Sequence, residues 1–151
     1  MSALDSIPVR VEASSGNVPP LLHEIRHALL RVANGGEGAT IDLGSLPLAP
    51  GEDKRIEDVL GRGEVRAELD ALGPTVVQET RFSGVWITTH RNSEQEVVAR
   101  FIEVTRMPEL LLSQDADMRH AVQELERQLN VNNGKDNQIG KRGDAVSTAA
   151  D

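Results

Sequence analysis

From Leu21 to Ala33 the apolar residues return at helical spacing, with Leu21, Ile25, Ala28, Leu29 and Val32 on one face. Pro19-Pro20 ahead of the run suits a helix start, and Asn34-Gly35-Gly36 suits its end. Ala39 to Leu43 reads as a short strand, and Leu46 to Gly51 as a proline-pinned loop. Asp53 is placed to cap a short helix through Leu60, which Gly61 and Gly63 stop. The period then changes to two. Val65, Ala67, Leu69 and Ala71 alternate with Glu64, Arg66, Glu68 and Asp70, the mark of a strand with one wet face. Gly73-Pro74 is a turn. Thr75–Phe82 and Val85–Arg91 form a hairpin, and a long strand rich in Val, Phe and Ile covers Glu96–Arg106 after a turn at Asn92–Gln95. Leu110-Leu111-Leu112 is read as core, with exposed docking residues as the alternative. From Asp115 to Leu129 the helical period comes back, with Met118, Ala121, Val122, Leu125 and Leu129 on one face.

The pattern predicts an α+β fold: an antiparallel meander of about four strands with an N-terminal and a C-terminal helix packed on it. Residues 1–18 read as an irregular leader, 19–130 as one domain, and 131–151 as a disordered polar tail rich in Asn, Gly and charge.

Composition narrows the function. A net charge of −8 and a pI near 5.0 argue against nucleic acid, which needs a basic footprint. The chain has no Cys, which removes disulfides, thiol catalysis and thiolate metal sites, and fits the cytoplasm. No run of apolar residues is long enough to insert in a membrane, and no secretory signal is seen. No cofactor is called for.

Two segments carry candidate chemistry. His23-Glu24-Ile25-Arg26-His27 matches the H-E-x-x-H pattern, in which two imidazoles one turn apart bind zinc and the Glu is general base. A small zinc hydrolase using His23, Glu24 and His27 is therefore the rival reading. Against it, both His fall away from the apolar stripe, and Arg26 sets a cation within the motif. A third ligand from His90, Glu103 or His120 has no spacing to recommend it. The plainer reading is two solvated imidazoles.

The second segment is Glu79-Thr80-Arg81-Phe82-Ser83-Gly84-Val85-Trp86. Aromatics are 2% of the chain, with one Trp and two Phe, so a Phe and the Trp so close together stand out. A two-residue Ser83-Gly84 turn would pair Phe82 with Val85 and set Arg81 across from Trp86. Val77, Glu79, Arg81, Trp86, Thr88 and His90 then share one face, while Val76, Thr80, Phe82, Val85 and Ile87 share the core face. Glu79, Arg81 and Trp86 are the candidate partner-binding residues, because Trp and Arg are enriched at interface hot spots. An internal ion pair shielding a half-buried Trp is the alternative. No catalytic residues are assigned.

The order and spacing of several pieces resemble the HupH/HyaF/HoxQ family of nickel–iron hydrogenase expression proteins. They are Leu21-Leu22-His23-Glu24-Ile25-Arg26-His27-Ala28-Leu29, Ile41-Asp42-Leu43 with Leu46-Pro47-Leu48, Leu60-Gly61-Arg62-Gly63-Glu64-Val65, Glu79 to Trp86, and Ile102-Glu103-Val104 with Pro108. The resemblance covers about Pro19 to Leu129. It implies a non-enzymatic accessory role in hydrogenase maturation. The implied partners are the iron–sulfur small-subunit precursor, before its export, and a co-chaperone. An acidic chain suits a basic or twin-arginine-tagged client. A homo-oligomeric scaffold is a third reading.

Overall fold

Pro19 and Pro20 occupy the first turn of helix α1 (Val18–Ala33), where a missing N–H costs nothing. The helix stops where Gly35 takes a φ of 84° and the Gly36 N–H turns back to the Arg31 carbonyl. The computed structural model describes residues 15–70 and 73–139. Most of the leader therefore lies outside the described residues, and Val18 is already helical.

Strand β1 (Ala39–Asp42) leads through a loop into helix α2 (Glu52–Leu60). Four strands follow: β2 (Arg66–Asp70), β3 (Pro74–Glu79), β4 (Val85–Arg91) and β5 (Val97–Val104). They form the expected meander, with one addition. β1 returns to pair antiparallel with β5, Ile41 opposite Ile102, so the sheet has five strands in the order β1-β5-β4-β3-β2. Four residues are too short for a periodic signal to assign them a neighbour, which is why the meander alone was legible.

The helices cover one face of the sheet. Val85 and Ile87 of β4, Ile102 and Val104 of β5, and Ile41 of β1 pack with Leu21, Ile25, Ala28 and Val32 of α1 and with Ile56 and Leu60 of α2. Ala28, Ile56, Ile102 and Val104 are wholly enclosed.

Asp53 does not cap α2. Gly51 does, at a φ of 87°, and the next residue supplies the polar contacts. The buried Glu52 carboxylate accepts hydrogen bonds from the Ala49 N–H at 2.8 Å, the Ser15 N–H at 2.9 Å and the Ser15 hydroxyl. A carboxylate at a helix N-terminus is favoured by the dipole, and this one also fastens the segment before α1 to the loop before α2. Glu52→Gln is expected to cost about 1–2 kcal/mol, because an amide nitrogen would face donors that need an acceptor. Thermal unfolding of the variant measures it, and an unchanged transition would refute that role.

The chain divides into a unit that ends at Leu111 and one that begins at Leu112. Leu110 and Leu112 are 46% and 53% exposed, so the Leu-rich run is not the core segment its composition suggested. It forms a short 3-10 turn at Glu109–Leu111. The second unit is helix α3 (Asp115–Ile139). The polar residues from 131 to 139, expected to be a disordered tail, continue this helix; residues 140–151 lie outside the described residues. This stretch is rich in Asn, Gly and Asp, which are poor helix formers, and the apolar stripe ends at Leu129, so neither propensity nor spacing signalled the extension.

A candidate partner-binding surface

The Glu79–Trp86 segment closes the β3–β4 hairpin, but two residues out of the expected register. Glu79, not Arg81, lies opposite Trp86, and Val77 lies opposite Thr88. The loop is longer than a two-residue turn. The Thr80 N–H donates to the Val85 carbonyl at 2.9 Å, the Val85 N–H to Phe82, and Gly84 takes a φ of 85°. An even slip preserves side-chain parity, so Val77, Glu79, Trp86, Thr88 and His90 do share a face, and Val85 and Ile87 do point at the core.

Arg81 leaves the strand because helix α2 offers it carbonyls. Its N–H donates to Leu60 at 2.9 Å and its guanidinium to Asp58 at 3.2 Å. A cation at a helix C-terminus satisfies orphan acceptors and complements the dipole. This competing partner was invisible in the strand pattern, since α2 is distant in sequence. Gly61 makes room: a Cβ there would sit 2.5 Å from the guanidinium Nε.

Trp86 is 2% exposed, and its indole N–H donates to the Thr105 carbonyl at 3.0 Å. It stands between Glu79 on β3 and Glu103 on β5, its two cross-strand neighbours. Glu103 accepts the Thr88 hydroxyl at 2.6 Å. Further along this face, His90 Nδ1 is 2.8 Å from the Thr75 hydroxyl, and its ring meets Phe101 edge-on. Glu103 and Thr105 were not singled out beforehand as neighbours of Trp86. Their signal was the alternation of β5, which needed its register against β4 to be read.

The residues that reach solvent are at the tip. Arg81 and Ser83 are exposed, and Phe82 is 43% exposed. The tip is firmly seated. Thr80, 1% exposed, bonds the Phe82 backbone through its hydroxyl, and the Thr105 N–H donates to Gly84 at 2.9 Å. Beyond Thr105, Met107 is also exposed. The structure thus presents a cation and an apolar ring on a rigid hairpin end, framed by Glu79 and the enclosed Trp86.

His23 and His27 of the H-E-x-x-H match lie exposed on α1, on the side away from Leu21, Ile25 and Ala28. Among the described residues, no three His, Cys, Asp or Glu side chains are grouped to hold a metal ion. On the helical face, a cleft of about 630 Å³ opens between α2 and the β2–β5 strands. Several of its charged walls are internally paired: Lys54 with Asp58, Arg66 with Glu68, and Arg100 with Glu57.

Residues 16–132 match the family described as HupH hydrogenase expression protein, C-terminal conserved region. The chain belongs to this family. It is 26% identical over 107 residues to the hydrogenase expression/formation protein HupH of Rhizobium leguminosarum bv. viciae, covering 71% of this chain and 38% of that one. It is 31% identical over 108 residues to the hydrogenase expression/formation protein HupQ of Azotobacter chroococcum mcd 1, covering 72% and 34%. The chain thus spans little more than a third of the length of these curated HupH-family relatives. The solved hydrogenase expression protein HupH from Thiobacillus denitrificans ATCC 25259 superposes with a TM-score of 0.74 at 43% identity, covering 78% of this chain and 98% of that one. These relatives are named for hydrogenase expression and formation. No helix among the described residues is long and apolar enough to cross a membrane.

Proposed function

We propose that this chain is a non-enzymatic, cytoplasmic maturation factor that holds the iron–sulfur small-subunit precursor of a nickel–iron hydrogenase before export, beside a co-chaperone. Its relatives are named for hydrogenase expression and formation, which sets the process. The observation that carries the binding reading is the hairpin end: Arg81 and Phe82 stand exposed on a loop that Trp86, Thr80 and Thr105 hold in place. A rigid Arg–aromatic pair loses little conformational entropy on docking, which is what an anchor needs. Glu79 and Trp86 set the shape of this surface, and Arg81 and Phe82 touch the client.

The test is affinity capture from hydrogenase-expressing cells. Arg81→Glu and Phe82→Ala are each expected to lower recovery of the small-subunit precursor by about tenfold or more. Arg81→Glu also loses its bonds to α2, at about 1 kcal/mol, so its melting temperature falls by a few degrees. Phe82→Ala leaves melting nearly unchanged and isolates the contact. Recovery of no hydrogenase subunit by the unmodified protein, or full recovery by both variants, would sink the proposal.

A further inference from the structure

Helix α3 carries four large apolar residues in one seam. Met118, Val122, Leu125 and Leu129 are spaced four, three and four apart, and at about 100° per residue they fall within an arc of about 60°. That is the a/d spacing of a two-helix coiled coil, narrower than the stripe of a helix lying on a sheet. All four are exposed, Leu125 and Leu129 at 64% and 63%. The flanking charges then decide what they fit.

We propose that α3 pairs with α3 of a second copy of this chain as an antiparallel two-helix coiled coil. This goes beyond the client-binding reading and does not rest on it. Run antiparallel, the seam is self-complementary: Met118 meets Leu129 of the other copy, and Val122 meets Leu125, each twice by symmetry. The same alignment sets Asp115 against Asn132 of the other copy, a polar pair that closes each end of the seam. It also brings Arg119 beside Glu126 of the other copy, twice. A parallel pair would instead set Asp115 against Asp115 and leave Arg119 and Glu126 with Gln114 and Ala121 as cross-helix neighbours. Both Arg119 and Asp115 are well exposed, at 75% and 80% of their side chains, and their own contact is a loose 3.9 Å, so Arg119 is available to the second copy.

Sedimentation equilibrium of the full chain over a wide concentration range tests this, since dimer mass must grow with concentration. Leu125→Glu sets a carboxylate in two apolar layers and is expected to raise the dissociation constant at least ~100-fold, with helix content retained because the position is exposed in the single chain. Arg119→Glu is expected to weaken the dimer roughly tenfold at low salt, and less at high salt. Arg119→Glu combined with Glu126→Arg is expected to restore it. A chain that stays monomeric throughout, a dimer indifferent to Leu125→Glu, or a double charge swap that fails to recover association would each overturn the antiparallel pair.

Discussion

Replacing Trp86 with alanine is expected to lower stability by about 3–5 kcal/mol, the usual cost of emptying an aromatic site in a core. The indole is 2% exposed and sits on the central strand of the sheet, with β3 on one side and β5 on the other. Its loss removes packing and leaves the Thr105 carbonyl without the donor that stands 3.0 Å from it. Thr105 in turn holds Gly84 through its N–H, so the damage reaches the hairpin tip. Small domains hold only about 5–15 kcal/mol in total, so a large part of the margin goes. Trp86→Phe keeps a ring and is expected to cost less, chiefly the unmade hydrogen bond at about 1–3 kcal/mol. Trp86 is the one tryptophan, so circular dichroism rather than fluorescence must follow the urea transition. Equal midpoints for the unmodified protein and Trp86→Ala would show that the indole is not a structural element.

The second large effect is expected at Gly63. A Cβ built there overlaps the Thr80 carbonyl oxygen and comes within 3.2 Å of the Glu79 carboxylate. The Gly63 N–H also donates to the Glu79 carbonyl at 2.7 Å. Two stretches of main chain are pressed together here, so neither can swing aside as a side chain would. Gly63→Ala is expected to cost about 2–4 kcal/mol, from overpacking and the weakened bond together. The shift pushes on Thr80 and Arg81, so capture of the proposed client is expected to fall with stability. A urea midpoint within error of the unmodified protein would show that the loop yields freely and that the close approach is incidental.

These two positions show what the chain made legible. Trp86 was conspicuous by rarity alone, and its face followed from alternation. Its depth did not, because enclosure depends on Thr105 and β5, which the sequence places far away. The role of Arg81 was misread for a related reason. A two-residue Ser83-Gly84 turn would set it opposite Trp86, while the carbonyls at the end of α2 draw it out of the ladder. Helix α1 was legible in both extent and buried face, since its stripe, its prolines and its terminal glycines agree. Gly51 and Glu52 displaced Asp53 as the cap because a glycine free to take positive φ and a longer carboxylate reach back to Ala49 together. The family resemblance stood on short pieces whose spacing survives, and the structure explains two of them. Gly61 and Gly63 clear space for Arg81 and Thr80, so the L-G-R-G-E-V and E-T-R-F-S-G-V-W pieces are two sides of one contact.

The pairing of β1 with β5 has a consequence for how the protein is made. β1 leaves the ribosome before β5, its sheet neighbour among the described residues, which follows roughly 60 residues later, a long loop to close. Through that interval Ile41 has no strand beside it, and Leu21 and Ile25 lack the cover of Ile102 and Val104. A chain of this build spends part of its own synthesis in the sticky, half-assembled condition that makes other proteins need an escort.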